Sequence, residues 1–372
     1  MMHKVLITGG AGFIGSFLAD QLIEEGHEVT LFDNLEPQVH QEKTPKHINP
    51  MAKFIRGDVR NYNQLKEQVV ISDILFNFAA RVGVGQSMYQ IREYVETNEL
   101  GTANLLHALA NEKHNVKKVI VASSMSIYGE GSYKCEQCNK EFHNLERKSE
   151  DLEKGQWELS CPDCSSILSP IPTPETKNLS YSSVYAITKK NQEELTLNVG
   201  KAYGVPSVAL RFFNTYGPRQ SLSNPYTGVA AIFMSRIKNN NAPTIFEDGK
   251  QSRDFVSVHD IVRGCMLAMK SRAADYELFN VGSGNQISIN EVAQTLLNIF
   301  GSKLKPEINQ QYRKGDIRHC FADISKIKSK LGYAPKVTLK EGMEELVTWS
   351  KSQESEDTFD KAVKELKNKR LL

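Results

Sequence analysis

The sequence contains no long apolar segment and no excess of charge of one sign. Its apolar runs all fall well short of the roughly 18 residues that a membrane-spanning helix needs, so we expect no integral membrane protein. The 46 Lys and Arg residues nearly balance the 44 Asp and Glu residues, which does not favour nucleic acid or an anionic membrane as a partner. Residues 1–4 lead into a strand-like segment without the apolar core of a signal peptide. We therefore expect a cytoplasmic protein.

The composition is otherwise that of an ordinary folded protein. With 372 residues, 40% of them apolar and 24% charged, the chain can form one large or two modest domains. In its N-terminal half, short apolar runs typical of strands alternate with segments of helical periodicity. This alternation predicts right-handed crossovers and a parallel sheet, and hence a fold of the α/β class.

A glycine-rich turn stands near the start of the chain. Residues 8–15 read TGGAGFIG, follow a predicted strand and open a predicted helix. Gly9, Gly12 and Gly15 permit a tight turn and a close approach of the backbone to a dinucleotide pyrophosphate at the helix N-terminus. Such a turn also serves ordinary strand-to-helix connections, so the prediction needs support from its context.

That support comes from Asp33, which ends the next predicted strand 18 residues after Gly15. Its carboxylate can accept hydrogen bonds from the hydroxyls of an adenosine ribose. The carboxylate would repel a 2′-phosphate, and Asn34 rather than Arg follows it, so we predict NAD rather than NADP. Asp58, followed by Val59, comes after the third predicted strand, where an acid can reach the adenine. The spacing of Asp58 fits an ordinary turn residue almost equally well.

Tyr185 and Lys189 lie four residues apart and therefore share one face of a predicted helix. A phenol is a poor base near neutral pH, but a nearby ammonium group and an oxidised nicotinamide both favour the phenolate. The Ser124 hydroxyl stands at the end of a predicted strand, beside the place where a dinucleotide binds. The three side chains together predict acid/base chemistry on a sugar hydroxyl. Without the dinucleotide motif, the Tyr–Lys spacing would be no more than a common feature of amphipathic helices.

These motifs and several longer runs resemble the extended short-chain dehydrogenase/reductase superfamily, in its nucleotide-sugar epimerase/dehydratase branch. In family order, the runs are TGGAGFIGS from Thr8, the Ser124 hydroxyl, YAITK from Tyr185, RFFNTYGPRQ from Arg211, RDFVSVHD from Arg253 and NVGSG from Asn280. The resemblance implies an NAD-dependent enzyme with a Rossmann-type doubly wound parallel sheet and a smaller mixed α/β C-terminal substrate domain. The nucleotide sugar is expected between the two.

The resemblance also implies roles for individual residues. The expected catalytic residues are Ser124, Tyr185 and Lys189. The residues expected to bind the cofactor are Gly9, Gly12, Phe13, Ile14, Gly15, Asp33, Asn34, Asp58, Val59, Ala79, Ala80, Asn98, Tyr185 and Lys189. The residues expected to bind the substrate are Gln86, Ser87, Ser124, Ser126, Asn214, Arg253, Arg313 and Asp316. The last four match positions that hold the nucleotide diphosphate and its ribose.

The same resemblance suggests how the chain is divided. We expect an NAD-binding domain over residues 1–211 and a nucleotide-sugar-binding domain over residues 212–350, with some segments returning to the first. Residues 351–372 form a charged tail, for which we expect a solvated helix or a frayed end. A homodimer is implied, built by packing two helices of each subunit, here the helices that contain Asn98 and Tyr185.

The residues after Ser124 bear on the type of reaction. Dehydratases of this family carry Asp-Glu there, whereas this chain has Met125 and Ser126, which cannot act as a carboxyl acid or base near neutral pH. Decarboxylases commonly keep a Glu where Ser126 stands. Because epimerisation at C4 needs only the removal and return of a hydride, we expect a 4-epimerase that acts through a 4-keto intermediate.

Three longer runs of sequence narrow the range of expected substrates. The runs VGVGQSMY from Val82, SSMSIYGEG from Ser123 and SNPYTGVAAIF from Ser223 resemble dTDP-L-rhamnose 4-epimerases and their close relatives. We expect a dTDP- or UDP-linked hexose, with conversion of dTDP-L-rhamnose to dTDP-6-deoxy-L-talose as the best guess. A 4-keto reductase, a dehydratase and a decarboxylase are the alternatives within the family. A non-catalytic NAD-binding scaffold is an alternative of another class, which the presence of all three expected catalytic residues disfavours.

Residues 131–170 break the alternation of strands and helices, and we interpret them as an insertion. They show little strand or helix periodicity and hold two C-x2-C pairs, separated by 22 residues. The four residues of these pairs are Cys135, Cys138, Cys161 and Cys164. This spacing is typical of a zinc ribbon with four thiolate ligands and no position open to water, so we predict structural zinc. A nucleic-acid-binding ribbon is disfavoured, because residues 131–180 carry six Lys and Arg against nine Asp and Glu.

Overall fold

The computed structural model describes residues 2–40, 44–313 and 315–372. Within these residues, a sheet of seven parallel strands forms the centre. In chain order the strands are Lys4–Thr8 (β1), Glu28–Asp33 (β2), Lys53–Arg56 (β3), Ile74–Asn77 (β4), Lys118–Ser124 (β5), Ser207–Phe212 (β6) and Glu277–Val281 (β7). Across the sheet they run β7-β6-β5-β4-β1-β2-β3. The direction of winding reverses between β1 and β4, which is where open α/β sheets bind their ligands.

Apolar side chains alternate between the two faces of the sheet, and helices cover both. In β1, Val5 and Ile7 face one core and Leu6 faces the other. The helices on the first face are Phe13–Glu24 and Val258–Lys270, and those on the second are Tyr62–Val69, Gly101–Asn111 and Val184–Tyr203. Strands buried on both sides are typical of parallel sheets. The doubly wound α/β fold predicted from the sequence is confirmed.

Beyond β6 the chain builds a second core and returns once to the sheet. The helices around this core are Val229–Lys238, Ile289–Phe300 and Leu339–Ser350. Its short strands pair as Asn214–Tyr216 with Phe255–Ser257, Thr244–Ile245 with Glu307–Ile308, and Ser252–Arg253 with both Ile287–Ser288 and His319–Cys320. Because β7 pairs with β6, the second core is assembled from chain on either side of β7.

The insertion over residues 131–170 contains a three-stranded antiparallel sheet. Ser132–Cys135 is its central strand and pairs with Lys140–Phe142 and Ser169–Ile171. A small core fills it, made of Tyr133, Cys135, Leu159, Cys161 and Leu168. The insertion thus has a regular sheet, although its sequence shows little strand periodicity. Strands of three or four residues are too short to show a period of two in the sequence.

The remaining helical segments are short, apart from one in the tail. They are Pro37–His40, Val84–Ser87, Ile91–Tyr94, the π-helix Val95–Leu100, Ser149–Leu152, Ser325–Leu331, and the 3-10 helices Met125–Tyr128 and Arg272–Ala274. In the part of the chain that the structure describes, no helix combines the length and the apolar character that crossing a bilayer requires.

The tail contains the C-terminal helix, Phe359–Asn368. Ala362 and Leu366 are buried, and Leu366 lies against Gly85 in the short helix Val84–Ser87. The tail is therefore docked on the body of the protein along one face, which corrects the expectation of a solvated or frayed end. Its charged residues lie on the other face, so its composition alone does not reveal the docking.

Candidate active site

The glycine-rich turn after β1 has no room for side chains at two positions. Gly9 has a φ of +68°, and a Cβ there would lie 2.9 Å from the backbone of Ala79. A Cβ on Gly15 would lie 2.5 Å from the Gly9 carbonyl oxygen. The helix Phe13–Glu24 follows, and among the described residues no side chain caps it at Gly12 and no acid occupies its first turn. Its free N–H groups and its dipole therefore suit the pyrophosphate of a dinucleotide.

Asp33 closes β2 beside this turn. Its carboxylate accepts hydrogen bonds from the backbone N–H groups of Ala11, at 3.1 Å, and Leu35, at 2.9 Å. These bonds fix the carboxylate and leave lone pairs that can accept from ribose hydroxyls. The arrangement fits the ribose of NAD at the position that the sequence predicts.

Asp58 is engaged by other residues instead. Its carboxylate oxygens accept from Arg60 Nε at 2.9 Å and Nη2 at 2.6 Å, and from Asn34 Nδ2 at 3.2 Å. Burial alone would raise the pKa of Asp58, but the hydrogen bonds from Arg60 and Asn34 lower it. Asp58 thus links Asn34 to Arg60 in this structure, and its contact with the adenine stays a prediction.

A cavity of about 490 Å³ runs from the glycine turn past the carboxyl ends of β4, β5 and β6. The predicted site residues that line it are Gly9, Gly12, Phe13, Ile14, Gly15, Asp33, Asn34, Val59, Ala79, Ala80, Gln86, Ser124, Ser126, Tyr185, Lys189 and Asn214. The predicted site residues outside its lining are Asp58, Ser87, Asn98, Arg253, Arg313 and Asp316. The structure thus brings the three predicted catalytic residues, and all the predicted cofactor residues except Asp58 and Asn98, to one cavity.

Ser124, Tyr185 and Lys189 meet on the wall of this cavity. Ser124 is the last residue of β5, and its Oγ accepts from the backbone N–H of Ser126 at 3.2 Å. Tyr185 and Lys189 lie in the helix Val184–Tyr203, one turn apart. Lys189 Nζ donates to the carbonyl oxygen of Ala122 in β5 at 2.9 Å, which ties the helix to the strand that carries Ser124.

Burial shifts the pKa values of the two titratable side chains in opposite directions. Burial raises the pKa of Tyr185, while a hydrogen bond with Ser124 acts to lower it. Burial lowers the pKa of Lys189 to about 7. Both shifts disfavour the charged form, as expected in a site shielded from water. A positive charge brought by a ligand would favour the phenolate and so reverse the first shift.

Ser87 and Asn98 support the Tyr185 helix rather than line the cavity. The Ser87 hydroxyl accepts from the backbone N–H of Tyr185 at 3.0 Å. Asn98 lies in the π-helix Val95–Leu100, donates to Thr188 Oγ1 at 2.9 Å and accepts from the backbone N–H of Arg81 at 2.7 Å. Both residues therefore orient the helix that carries the expected acid/base.

Arg253, Arg313 and Asp316 form a separate cluster. Arg253 Nη2 lies 3.2 Å from one carboxylate oxygen of Asp316, and Arg313 Nη2 lies 2.7 Å from the other. Burial alone would raise the pKa of Asp316, but the two arginines hold it well below its usual range. Two guanidinium groups against one carboxylate leave the cluster with an excess of positive charge, which suits a diphosphate.

Asn214 connects this cluster with the cavity. Its backbone N–H donates to the carbonyl oxygen of Asp254, next to Arg253, at 2.9 Å. Its side-chain Oδ1 is buried and has no hydrogen-bond partner among the described residues. Because a buried acceptor without a partner costs free energy, this oxygen is a group that a donor on a ligand would satisfy.

Three residues that the sequence does not single out also line the cavity. Gln38 Nε2 donates to Gln86 Oε1 at 3.0 Å and to Asn224 Oδ1 at 2.9 Å. Tyr226 shares a hydrogen bond of 2.8 Å with Tyr89 through their hydroxyl groups. The run that starts at Ser223 includes Asn224 and Tyr226 and is the one signal available for them. Gln38 has no local signal, because its partners are 48 and 186 residues away along the chain.

The insertion brings the four clustered cysteines together. Their sulfur atoms all lie within 4.8 Å of one another, with Cys135 and Cys164 at 3.6 Å and Cys138 and Cys161 at 3.9 Å. A disulfide would need about 2.05 Å. Four thiolates arranged tetrahedrally around zinc, at about 2.3 Å each, would be about 3.8 Å apart. The cluster therefore fits one tetrahedral metal ion.

The chain matches two families of known proteins. Residues 5–147 match the NAD dependent epimerase/dehydratase family, and residues 168–346 match the family described as GDP-mannose 4,6 dehydratase. A dTDP-L-rhamnose 4-epimerase of Burkholderia thailandensis is 31% identical over 93% of this chain and 94% of that protein. A UDP-N-acetyl-alpha-D-glucosaminuronate decarboxylase of Bacillus cytotoxicus is also 31% identical, over 96% of this chain and 100% of that protein.

Solved structures agree with this. The UDP-glucuronic acid 4-epimerase of Bacillus cereus, in complex with UDP-glucuronic acid and NAD, superposes with a TM-score of 0.73 at 28% identity. The match covers 94% of this chain and 99% of that one. Fold and site together define an NAD-dependent enzyme of the α/β class. The chain belongs to the NAD-dependent epimerase/dehydratase family, the nucleotide-sugar branch of the extended short-chain dehydrogenase/reductase superfamily.

Proposed function

We propose that the protein is a nucleotide-sugar 4-epimerase that acts on a dTDP- or UDP-linked hexose through a transient 4-keto intermediate. The observation that carries the proposal is the meeting of Ser124, Tyr185 and Lys189 on one buried cavity. Beside them, Met125 and Ser126 occupy the positions where dehydratases carry carboxyl groups. At these two positions the site therefore lacks the carboxyl groups that an elimination of water uses in those enzymes.

In this proposal each residue has a distinct task. The Tyr185 phenolate removes the proton of the C4 hydroxyl and later returns it. The Ser124 hydroxyl donates a hydrogen bond to the C4 oxygen, on which negative charge develops. Lys189 lowers the free energy of the phenolate and donates to a ribose hydroxyl of the cofactor. NAD, held by the glycine turn and Asp33, supplies reversible oxidation at C4 when it is bound.

Inversion at C4 requires that the ketone present both of its faces to the same site. The sugar must therefore turn while the nucleotide stays in place. We assign the anchoring of the diphosphate to Arg253 and Arg313. We assign to Asn214 a hydrogen bond from a donor group of the substrate close to the diphosphate. The second core and the Rossmann sheet would then hold the two ends of one substrate, in line with domains over residues 1–211 and 212–350.

The best candidate substrate is dTDP-L-rhamnose, with dTDP-6-deoxy-L-talose as product. The support is the identity to the Burkholderia thailandensis enzyme, over nearly the full length of both chains. The equal identity to a decarboxylase means that overall similarity does not distinguish the reactions. The distinction rests on Ser126, which provides a hydroxyl where a decarboxylase would have a carboxylate.

The test is to incubate the purified protein with dTDP-L-rhamnose, UDP-glucose and UDP-glucuronic acid and to separate the products. Formation of the C4 epimer, with no net change in NADH absorbance, is the expected result. Release of carbon dioxide, loss of water or stoichiometric consumption of reduced cofactor would each point to one of the alternative reactions. The Tyr185→Phe protein serves as the matched control for contaminating activity.

We also propose that Cys135, Cys138, Cys161 and Cys164 hold one structural zinc ion. The sulfur separations of 3.6 Å and 3.9 Å support it, since they agree with tetrahedral thiolate ligation. Each cysteine would bind as the thiolate. Hydrogen bonds from Ser166 and from the backbone N–H of Cys138 lower the pKa of Cys135, whereas contacts with the other cysteines raise the pKa of Cys138. A bound cation would favour the thiolate of all four.

Finally, we propose a homodimer that uses the helices of Asn98 and Tyr185. The support is a set of exposed large apolar side chains on the π-helix Val95–Leu100 and the helix Val184–Tyr203. They are Val95, Leu100, Ile187, Leu195 and Tyr203. Such side chains gathered on adjacent helices are typical of a surface that another subunit covers.

A further inference from the structure

Buried charges tie the insertion to the strand His319–Cys320 and to the residues just before it. Arg318 is fully buried. Its Nε donates to Glu158 Oε1 at 3.0 Å, and its Nη1 donates to Glu247 Oε2 at 2.9 Å and to Asp248 Oδ1 at 2.7 Å. Of these partners, only Glu158 belongs to the insertion, where it stands three residues before Cys161.

Glu158 also holds His319, the first residue of the strand that follows Arg318. Its Oε2 lies 3.0 Å from His319 Nε2. Burial alone would raise the pKa of Glu158, but the hydrogen bonds from His319 and Arg318 lower it to about 2. Glu158 therefore stays ionised at neutral pH and binds the two residues through its charge.

Arg147 makes the second connection between the insertion and this region. Its side chain is 4% exposed, and its Nη1 donates to Glu247 Oε1 at 2.7 Å. Its Nη2 donates to the backbone carbonyl of Asp316 at 2.7 Å. Its Nε lies 3.0 Å from Glu130 Oε1, which also accepts from the backbone N–H of Arg318 at 2.7 Å.

Asp316 is thus held from two sides. Arg147 of the insertion holds its carbonyl oxygen, while Arg253 and Arg313 hold its carboxylate. Arg253 Nη1 also donates to the carbonyl oxygen of Arg318 at 3.0 Å, so it depends on the position of that strand as well. The cluster assigned to the nucleotide therefore has the insertion as one of its supports.

We propose that the four-cysteine ribbon is a positioning element for the nucleotide end of the substrate. Through Arg147 and Glu158 it fixes residues 316–319, and with them Arg253 and Asp316. This inference rests on the proposed function, which assigns that cluster to the nucleotide. Affinity for the nucleotide then depends on the metal that holds the ribbon. Affinity for NAD does not depend on that metal, because the glycine turn and Asp33 form the NAD site without the ribbon.

The physical reason lies in the burial of the charges. Arg318 and Arg147 have lost their hydration, so removing one carboxylate leaves a buried guanidinium group less fully compensated, although Glu247 still accepts from both. Residues 316–319 would then shift until water reaches the charge, and the phosphate-binding geometry would shift with them. A change of this kind weakens binding of the nucleotide without altering the groups that carry out the reaction.

The first test uses Glu158→Gln, which keeps the shape of the side chain and removes its charge. Titration calorimetry with dTDP and with UDP should show binding about tenfold weaker than for the unaltered protein, the loss typical of a hydrogen bond to a charged group. KM for the nucleotide sugar should rise by a similar factor, with kcat and bound NAD unchanged. The matched control is Glu150→Gln, at an exposed residue of the same ribbon, which should leave dTDP and UDP affinity unchanged.

A second variant keeps the test decisive if Glu158→Gln does not fold. Arg147→Lys retains the positive charge but cannot make both hydrogen bonds of Arg147, to Glu247 and to the carbonyl oxygen of Asp316, while lying beside Glu130. It should therefore weaken dTDP and UDP binding in the same direction. Removing the metal with a chelator should also weaken dTDP and UDP binding, and adding zinc should restore the affinity.

Unchanged nucleotide binding in the folded variants and in metal-free protein would overturn the inference alone. Failure of the unaltered protein to bind either nucleotide would overturn the proposed function and the inference with it.

Discussion

At the scale of single residues, burial sets the protonation state of Tyr185 and Lys189. Burial in one cavity opposes the charged form of both side chains, raising the pKa of Tyr185 and lowering that of Lys189 to about 7. The hydrogen bond of Ser124 acts in favour of the phenolate. Tyr185 is therefore neutral in the cavity without a ligand, and a positively charged ligand beside it would favour the reactive phenolate.

Tyr185→Phe should abolish the proton transfer and leave the packing of the helix Val184–Tyr203 almost unchanged. We expect a folded protein that still binds NAD and whose kcat falls by about 10²-fold or more, the usual contribution of a general acid/base. Ser124→Ala should lose less, because it removes only one hydrogen bond to the C4 oxygen. Turnover of a confirmed substrate by Tyr185→Phe at a near-normal rate would mean that another base, such as Tyr181, performs the step.

The buried Lys189 should make stability depend on pH in a defined window. In the NAD-free protein its pKa of about 7 lies below the ordinary value of 10.5, so between these pH values the unfolded chain binds more protons. Stability therefore rises with pH there, by up to about 1.4 kcal/mol per pH unit, and is lost as the pH falls toward 7. Urea unfolding at pH 7, 8 and 9 should show this rise, and Lys189→Met should remove it. Parallel curves for the two proteins would argue against a neutral Lys189.

At the scale of elements, the parts with local signals could be predicted and the parts defined by distant contacts could not. The helix that the sequence predicts around Tyr185 and Lys189 spans Val184–Tyr203, because Ser183 caps its N-terminus and Gly204 ends it with a φ of +68°. The glycine turn likewise follows from its residues. The three-stranded sheet of the insertion is too short for a detectable period, and Gln38 reaches the cavity only through contacts far along the chain.

The insertion should contain one metal ion that its stability requires. Protein purified without added zinc should carry about one equivalent, and Cys135→Ser should lower both the metal content and the unfolding temperature. Cys265→Ser is the matched control, since Cys265 is buried in the main core and its replacement should leave the metal content unchanged. A double replacement of Cys135 and Cys138 by Ser that kept full metal occupancy would contradict the four-cysteine site.

The C-terminal helix should contribute to the stability of the folded chain despite its charged composition. Leu366 is 6% exposed and lies against Gly85. Leu366→Ala should therefore cost about 2 kcal/mol of unfolding free energy, the lower end for a buried leucine, because this site lies near the surface and can relax. Chemical denaturation measures it, with Lys361→Ala on the exposed face of the same helix as control. Equal stability of the two variants would mean that the helix is not docked in solution.

At the scale of the whole molecule, the exposed apolar side chains on the Tyr185 helix and the neighbouring π-helix support the proposed homodimer. Leu195→Asp should convert the proposed dimer to a monomer, because a buried and unpaired carboxylate is costly at an interface. Light scattering after size-exclusion chromatography gives the mass directly. Ile71→Asp replaces a side chain that is also exposed, at 52%, just after the helix Tyr62–Val69, and should leave the mass unchanged. A monomeric unaltered protein would contradict the dimer itself.

The late return of β7 to the sheet has a consequence for the newly made chain. Until β7 has been synthesised, β6 is the edge of the sheet, with Val208 and Leu210 in an incomplete core. Translation of the 64 residues between them (213–276), at about 5–20 residues per second, takes about 3–13 s. During that time an open, apolar strand edge is available to neighbouring nascent chains. The order in which the polypeptide emerges thus leaves one edge of the sheet unpaired until late in synthesis, although the finished sheet has both faces covered.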